Sequence, residues 1–285
     1  MTRIIHITDL HFWRLVWNPA LLCNKRLLGN LNLALRRRHY VRQERAESFL
    51  ALYRSLDADA VLIGGDMTTT GTNAEYKLAA AFVNELAQVG PPVFMVAGNH
   101  DLYTFEAQRK HRFESYFSDR LQEPEKPQLT YMPGDIPLLL VPTAKPNLLS
   151  SRGAITGAQL VATRRLLEER APDRLLVLAH YPILDNPAVY NNGVLRRLGN
   201  AEALRRVLGV SGCPTLYLAG HVHRFSHARD PRFQNLTQLT TRALFYEKDD
   251  CPGGFTEILF DKDACTVYPW RYCDGWERAS EPSAC

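Results

Sequence analysis

Five short stretches of the sequence contain acidic, amide or imidazole side chains of the kind that bind metal ions. They read DLH (9–11), GGD (64–66), GNHD (98–101), AHYP (179–182) and GHVH (220–223), and they supply Asp9, His11, Asp66, Asn99, His100, Asp101, His180, His221 and His223. Carboxylate, imidazole and amide oxygen together suit divalent ions such as manganese, iron, zinc or nickel. One ion cannot use so many ligands, whereas two ions that share a carboxylate could, and such pairs are suited to phosphoryl displacement.

The elements that must position these side chains are strands. An apolar, often β-branched run precedes each stretch, as in RIIHIT at 3–8 and AVLI at 60–63, and such runs are typical of buried strands. Apolar residues at helical spacing predict helices over 41–56, 73–88, 102–117 and 156–170. Alternating strands and helices indicate an α/β layered fold, in which ligands gather beyond the carboxyl ends of the strands. Short alternating segments from 226 to 270 indicate further, antiparallel strands.

The positive charge of the chain is concentrated in one segment. The chain has 285 residues and a formal net charge of +4. Seven Lys or Arg and no acid lie between Arg14 and Arg42, so the charge of +4 becomes −3 once these seven are set aside. This distribution argues against a nucleic-acid-binding surface spread over the domain. We expect a single domain over residues 1–285, with an insertion at about 14–40.

The cysteines and the first residues indicate a reducing compartment. The six cysteines form no CxxC pair, and the sequence begins with a predicted strand rather than a signal segment. Each cysteine is interpreted as a small, buried, reduced residue. No apolar run approaches the length that spans a bilayer. We therefore expect a cytoplasmic protein.

The order of the five stretches resembles the calcineurin-like metallophosphoesterase superfamily. The pattern D-x-H, G-D, G-N-H-D, H, G-H-x-H is present in full between residue 3 and about residue 225. The resemblance implies a four-layer α/β/β/α sandwich with two mixed sheets. It also implies two divalent ions, manganese first and iron, zinc or nickel as alternatives, and hydrolysis of a phosphoester or pyrophosphate by a metal-activated hydroxide.

Carried over residue by residue, the resemblance implies a role for each side chain. The first ion would be held by Asp9, His11 and His223, the second by Asn99, His180 and His221, and Asp66 would bridge the two. His100 would stabilise the phosphoryl oxygens or protonate the leaving group, and Asp101 would orient its ring. Some members of the superfamily are noncatalytic scaffolds that have lost such residues. This chain keeps them all, which favours an enzyme.

The segment from residue 14 to residue 40 differs from relatives with small substrates, which have a short loop there. On a helix, its apolar and polar residues separate into two faces. The apolar face contains Trp17, Leu21, Leu27, Leu28, Leu31 and Leu35, and the polar face Lys25, Arg26, Asn30, Asn32, Arg36 and Arg37, with Leu22, Leu33 and Gly29 as exceptions. This pattern is typical of an interfacial amphipathic helix. The alternative is that the leucines pack on the domain and the arginines are solvated.

The place of this insertion favours a lipid substrate. It directly follows Asp9 and His11, so we expect it over the catalytic mouth. KRLLGNLNLALRRR is similar to an insertion of membrane-associated relatives, among them enzymes that split UDP-2,3-diacylglucosamine in lipid A synthesis. We therefore predict a lipid-linked pyrophosphate as substrate and peripheral association with the inner membrane through residues 14–40, and no nucleic-acid partner.

A second substrate class remains open. The stretch GGDMTTTGTNAEY resembles the branch of the superfamily that contains cyclic-nucleotide phosphodiesterases. The alternative is therefore a soluble cyclic-nucleotide or nucleotide phosphodiesterase, in which Arg36–Arg38 meet phosphate rather than lipid.

Overall fold

The computed structural model describes residues 1–16, 26–121, 123–148, 150–186, 193–248, 251–261, 265–280 and 283–284. The strands, in chain order, are β1 (Thr2–Ile7), β2 (Ala60–Ile63), β3 (Val93–Met95), β4 (Gln128–Met132), β5 (Ile136–Leu140), β6 (Gly153–Ala154), β7 (Leu175–Leu178), β8 (Leu198–Gly199), β9 (Thr215–Ala219), β10 (Ser226–Arg229), β11 (Leu236–Thr240), β12 (Gly254–Phe260), β13 (Cys265–Tyr272), β14 (Trp276–Arg278) and β15 (Ser283–Ala284).

The helices lie mostly between these strands. They are α1 (Arg26–Leu35), α2 (Ala46–Ser55), α3 (Asn73–Gln88), α4 (Phe105–Arg109), α5 (Arg112–Phe117), α6 (Gly157–Arg170) and α7 (Ala201–Val210). Short 3-10 turns occur at Arg37–His39, Gln43–Arg45, Ser118–Arg120 and Val194–Arg196.

Two mixed sheets form the centre of the molecule, as the sequence predicts. Within the described residues, the first has the order β14-β13-β12-β1-β2-β3, with β15 beside β13, and the second has the order β10-β11-β9-β7-β5-β4. The strands β1, β2 and β3 are parallel to one another, and so are β5, β7, β9 and β11. The predicted ligands follow β1, β2, β3, β7 and β9, so all of them leave the carboxyl ends of parallel strands.

Three groups of buried apolar residues define the layers. One joins the facing sides of the two sheets, through residues such as Ile4 and Leu62 of the first sheet and Leu138 and Leu176 of the second. Another packs α2, α3 and α5 on the outer side of the first sheet. The third packs α6 and α7 on the outer side of the second sheet. Burial of apolar surface on both faces of both sheets therefore produces the predicted order α/β/β/α.

Several predicted boundaries differ from the structure. The helix predicted over 41–56 begins only at Ala46, and the strand predicted over 137–143 ends at Leu140. The helix predicted over 102–117 is two short helices, because His111 has φ 45° and a right-handed helix cannot continue through a left-handed residue. Strand β4 and helix α7 were not predicted. In contrast, α3 has the predicted bounds, since Thr72 and Glu75 form a capping box at its start.

Helix α1 is the described part of the insertion, and it packs on the domain through one side. Leu33 is fully buried, and a Cβ on Gly29 would lie 2.6 Å from the hydroxyl of Tyr103. Arg26 is also buried, with 2% of its surface exposed, so it does not belong to a solvated basic face as predicted. Residues 17–25, which include the predicted apolar residues Trp17 and Leu21 and the basic Lys25, lie outside the described residues.

Leu27, Leu31 and Leu35 cover the other side of α1. They are 53%, 53% and 66% exposed and lie four residues apart, so they form one stripe along the helix. Arg36 and Arg38 follow the stripe and are exposed as well. We refer to these five residues as the leucine–arginine face. Leu33 is fully buried, whereas the three leucines of this face remain exposed in the described part of the structure.

Two further predictions concern the whole chain. Cys213, Cys251 and Cys273 have free thiols, but Cys265 is disulfide-bonded, so the expectation of reduced cysteines throughout is wrong at that position. Among the helices of the described residues, none is both long and apolar enough to cross a bilayer.

Candidate metal centre

The turns after the strands bring the predicted ligands together. Five of these residues have left-handed backbone conformations, which non-glycine residues adopt rarely: Asp9, His11, Asp66, His221 and His223, with φ between 51° and 67°. Such conformations persist where the surrounding structure fixes them, and they concentrate at functional sites. Here each turn ends its strand sharply and directs the side chain into the gap beyond the sheet edge.

Asp9, His11 and His223 form the first group. Nε2 of His223 lies 3.2 Å from Oδ1 of Asp9 and 3.1 Å from Nε2 of His11. The other oxygen, Oδ2 of Asp9, accepts hydrogen bonds from Thr8 Oγ1 and from the backbone N–H of His221. Oδ1 of Asp9 is buried without a hydrogen-bond partner among the described residues. A buried carboxylate oxygen that faces two imidazole nitrogens can be satisfied by a cation.

Asp66, Asn99, His180 and His221 form the second group. Nε2 of His180 lies 3.4 Å from Oδ2 of Asp66 and 3.3 Å from Oδ1 of Asn99. Ligand atoms of Asp66, His180 and His221 all lie within 4.8 Å of one another. Oδ2 of Asp66 is also 4.0 Å from Nε2 of His11 in the first group. The same carboxylate oxygen therefore faces both groups.

Backbone carbonyls fix which nitrogen of each outer imidazole faces the centre. Nδ1 of His180 donates to the carbonyl of Gly64 at 2.8 Å, which leaves Nε2 toward Asp66. Nε2 of His221 donates to the carbonyl of Arg196 at 2.8 Å, so Nδ1 is the nitrogen that could bind a metal. Metal-binding histidines are usually oriented in this way, by a hydrogen bond from the other nitrogen. Together with the orphaned oxygen of Asp9, this donor set fits two divalent cations.

The charges of the centre are coupled. Burial raises the pKa of Asp66, but the imidazoles of His180, His100 and His11 together hold that pKa well below its usual value. Burial lowers the pKa of His180, but Asp66, Asp9 and the hydrogen bond to the Gly64 carbonyl together raise it to about 9. The imidazole supplies positive charge where a metal ion would supply it, and a metal that binds there displaces the proton.

His100 lies at the edge of this centre. Its ring centroid is 4.9 Å from that of His11, and its backbone N–H donates to Oδ1 of Asp66 at 2.7 Å. Its Nδ1 lies 2.5 Å from the carbonyl of Thr69, so Nδ1 carries the proton. The guanidinium of Arg37 lies 3.2 Å from Nε2. Two residues that the sequence did not single out for this purpose therefore orient the ring.

Asp101 does not contact the His100 ring, which differs from the expectation. Its carboxylate accepts hydrogen bonds from the backbone N–H groups of Met67, Thr68 and Gly98 at 2.9–3.3 Å, and from the Thr68 hydroxyl. Burial and then the charge of Asp66 raise the pKa of Asp101 to about 7 in spite of these donors. Asp101 therefore connects the two turns that carry Asp66 and Asn99.

Sequence reasoning also missed Tyr181 and Arg196. The hydroxyl of Tyr181 lies 3.1 Å from Oδ1 of Asn99 and 2.6 Å from the carbonyl of Ser151, so it helps to hold the Asn99 amide in position. Tyr181 stands next to His180 in the AHYP stretch, and this adjacency was an available signal. Arg196 contributes only a backbone carbonyl, for which the sequence carries no signal.

Comparison with known proteins identifies the family. A family model described as calcineurin-like phosphoesterase matches residues 2–225. The chain belongs to the calcineurin-like phosphoesterase family. Membership of the calcineurin-like phosphoesterases confirms the resemblance on which the ligand predictions rest, and it supports the prediction of a metal-dependent phosphoester hydrolase.

Three relatives show how far the likeness extends. A probable glycerophosphodiester phosphodiesterase from Arcobacter nitrofigilis is 27% identical over 59% of this chain, and a probable cyclic nucleotide phosphodiesterase from Ruthia magnifica subsp. Calyptogena magnifica is 25% identical over 60%. The matches span 58% and 64% of those two proteins, less than two thirds of either. A dimetal phosphatase from Danio rerio has a similar fold, with a TM-score of 0.64 and 15% identity over 99% of this chain and 98% of that chain.

Proposed function

We propose that the protein hydrolyses a phosphoester or pyrophosphate at a centre of two divalent cations. The observation that carries this proposal is the position of Asp66, whose Oδ2 faces His180 Nε2 at 3.4 Å and His11 Nε2 at 4.0 Å. Asp9, His11 and His223 would hold one cation, Asn99, His180 and His221 the other, and Asp66 both. Two cations in such a site polarise the phosphoryl group and acidify water.

His100 would act on the substrate rather than on a metal. The Thr69 carbonyl accepts the Nδ1 proton and so fixes the plane of the ring. Nε2 then points away from Thr69, into the half-buried mouth beside His11. A second proton on Nε2 would allow His100 to donate to a phosphoryl oxygen or to the leaving oxygen, which is the usual work of a general acid.

The substrate that we propose is a lipid-linked pyrophosphate such as UDP-2,3-diacylglucosamine, bound at a membrane surface. The leucine–arginine face supports this proposal, because it combines an exposed apolar stripe with exposed cations. Leucine side chains enter the acyl boundary of a bilayer, and each arginine near anionic headgroups adds about 1 kcal/mol. Arg26 adds nothing to this attraction, since it is buried in the domain.

A cyclic-nucleotide or nucleotide phosphodiesterase is the second candidate. The observation that favours it is the similarity to two relatives that are both described as probable phosphodiesterases. In this case Arg36–Arg38 would meet phosphate rather than lipid, and the exposed leucines of α1 would not affect turnover. A noncatalytic metal-binding scaffold is the remote third candidate.

A substrate panel separates these candidates. The manganese-loaded protein would be assayed on UDP-2,3-diacylglucosamine in mixed micelles, on cyclic AMP and on bis(p-nitrophenyl) phosphate. We expect the lipid substrate to be turned over with the highest kcat/KM. Preference for cyclic AMP would favour the second candidate, and hydrolysis of none of them by metal-loaded protein would favour the scaffold.

Binding to vesicles tests the membrane step separately. Replacing Leu27, Leu31 and Leu35 together by Ser should abolish sedimentation with vesicles that contain anionic lipid, while turnover of bis(p-nitrophenyl) phosphate stays unchanged. Val161→Ser is the matched control, because Val161 is 69% exposed on α6, at the outer side of the second sheet. Retention of vesicle binding by the triple variant would refute the membrane proposal.

A further inference from the structure

Arg37 lies beside His100, and no acid among the described residues matches its charge. Its guanidinium is half-buried and contacts the His100 ring through both terminal nitrogens, at 3.2 Å from Nε2. It forms no salt bridge with any acidic residue in the described part of the chain. Other arginines of this region do have such partners: Arg26 pairs with Glu106, and Arg42 with Glu247.

The surroundings of Arg37 favour an anion from outside the protein. Arg37 contacts His100, and His11 and the proposed cation pair lie beyond that ring, so the described partner of Arg37 is an imidazole rather than a carboxylate. Nε2 of His100 can accept a hydrogen bond from the guanidinium, but a neutral imidazole does not balance the positive charge of Arg37. An arginine without an acidic partner is well suited to bind phosphate, because its planar fork offers two parallel N–H donors.

The backbone holds Arg37 at a fixed distance from the centre. Its carbonyl accepts hydrogen bonds from the N–H groups of Tyr40 and Val41, both at 2.9 Å. Helix α1, which precedes it, is attached to the domain by Arg26 through the carbonyls of Thr70 and Gly71. The guanidinium therefore extends from a hydrogen-bonded turn, and the helix before that turn is attached to the domain.

We propose that Arg37 binds the second phosphate of a substrate, the one that is not attacked. The reacting phosphoryl group belongs at the cation pair. His100 lies between that pair and Arg37. An anion that replaces His100 as the partner of Arg37 would therefore lie next to the reacting group. This geometry selects a diphosphate diester over a single phosphodiester. The inference rests on the proposed function and names the substrate class of the same site.

Calorimetry with two uridine compounds tests the role of Arg37 without turnover. One is the analogue of UDP-glucose with CH2 between its phosphorus atoms, and the other is the methyl ester of UMP, which has a single phosphate. In manganese-loaded protein, we expect Arg37→Ala to weaken binding of the diphosphate analogue about tenfold or more, and that of the ester less than about twofold. Arg37→Lys should lie between Arg37→Ala and wild type, because it keeps the charge but loses the fork.

Arg164→Ala is the control. Arg164 is exposed on α6, at the outer side of the second sheet, so its loss removes the same charge away from the site and should change neither affinity. Equal binding of the analogue by Arg37→Ala and wild type would overturn the inference. Equal weakening for both compounds would overturn it as well, because Arg37 would then bind the reacting phosphate.

Turnover assays distinguish failure of this inference from failure of the proposed function. Wild-type protein that hydrolyses the p-nitrophenyl ester of UMP but not UDP-glucose or UDP-2,3-diacylglucosamine would refute the pyrophosphate substrate. The calorimetric comparison would still decide whether Arg37 distinguishes two phosphates from one.

Discussion

The carbonyl oxygen of Thr69 lies 2.5 Å from Nδ1 of His100. Thr69 belongs to the loop after Asp66, and the next two residues of that loop accept hydrogen bonds from the buried Arg26 of the insertion. One loop therefore connects the insertion helix to the imidazole that is proposed to act on the substrate. A substitution in the insertion can reach catalysis through this loop without contact to the substrate.

Arg26→Met tests this connection. The variant removes the donors to the carbonyls of Thr70 and Gly71 and leaves Glu106 with one fewer cation. We expect the free energy of unfolding to fall by roughly 2 kcal/mol in urea titrations, since buried polar groups lose partners. kcat should fall as well, because the Thr69 carbonyl moves with the loop. Arg164→Met, at an exposed site on α6, should leave both quantities unchanged; an unaltered Arg26→Met protein would refute the connection.

His100→Ala distinguishes a catalytic residue from a metal ligand. The distinction needs an experiment because the potential ligand atoms of His100, His11 and Asp66 lie within 4.8 Å of one another, close enough to share one ion. We expect kcat to fall about 100- to 10,000-fold, the usual range for a general acid, while two metal ions per chain remain. Metal analysis and steady-state kinetics on the same preparation provide the check. Loss of a metal ion would make His100 a ligand, and His39→Ala, in the insertion, is the control.

Asp101→Asn separates the role expected from the sequence from the role seen in the structure. An amide nitrogen in place of one carboxylate oxygen would face backbone N–H groups of Met67, Thr68 or Gly98. We expect a loss of about 1–3 kcal/mol in stability and weaker metal binding, because both turns lose an acceptor. If Asp101 instead orients His100, only kcat would fall, and metal affinity measured by chelator competition would be unchanged.

Gly98→Ala should disturb the bridging carboxylate. A Cβ at this position would overlap the carboxylate and backbone nitrogen of Asp66. We expect metal affinity to fall roughly 10- to 100-fold, as it does when the support of a ligand is removed. Gly157→Ala is the control, because a Cβ at Gly157 would meet no described atom within 4 Å at the start of α6. Wild-type affinity in Gly98→Ala would contradict the close packing of the two turns.

The sequence was most informative where a residue that can bind a metal directly follows a predicted strand. Asp9, Asp66 and His180 follow apolar strands, and the strand ends of parallel sheets must meet, so their convergence could be predicted. The helix predicted over 73–88 was also found with its predicted bounds, and a capping box of Thr72 and Glu75 stabilises its start. These signals are local, and short-range patterns suffice to read them.

The features that the sequence did not predict depend on contacts between distant segments. Arg26 looked like one more member of a basic face, because a pattern of charges does not reveal that Glu106 and two carbonyls lie opposite it. The family resemblance implied that Asp101 orients the His100 ring, but the chain turns so that its carboxylate meets the backbone after Asp66. Neither outcome follows from spacing, since both are decided by how two turns pack.

The most direct test of the central claim, that Asp66 is shared by two cations, is the metal content of purified variants by inductively coupled plasma mass spectrometry. We predict two transition-metal ions per chain for the wild type, one for His223→Ala and fewer than one for Asp66→Asn. Because both carboxylate oxygens of Asp66 already face defined partners, the Asn variant should still fold, as checked by circular dichroism. A wild type that binds one ion or none, or an Asp66→Asn variant that keeps two, would contradict the account.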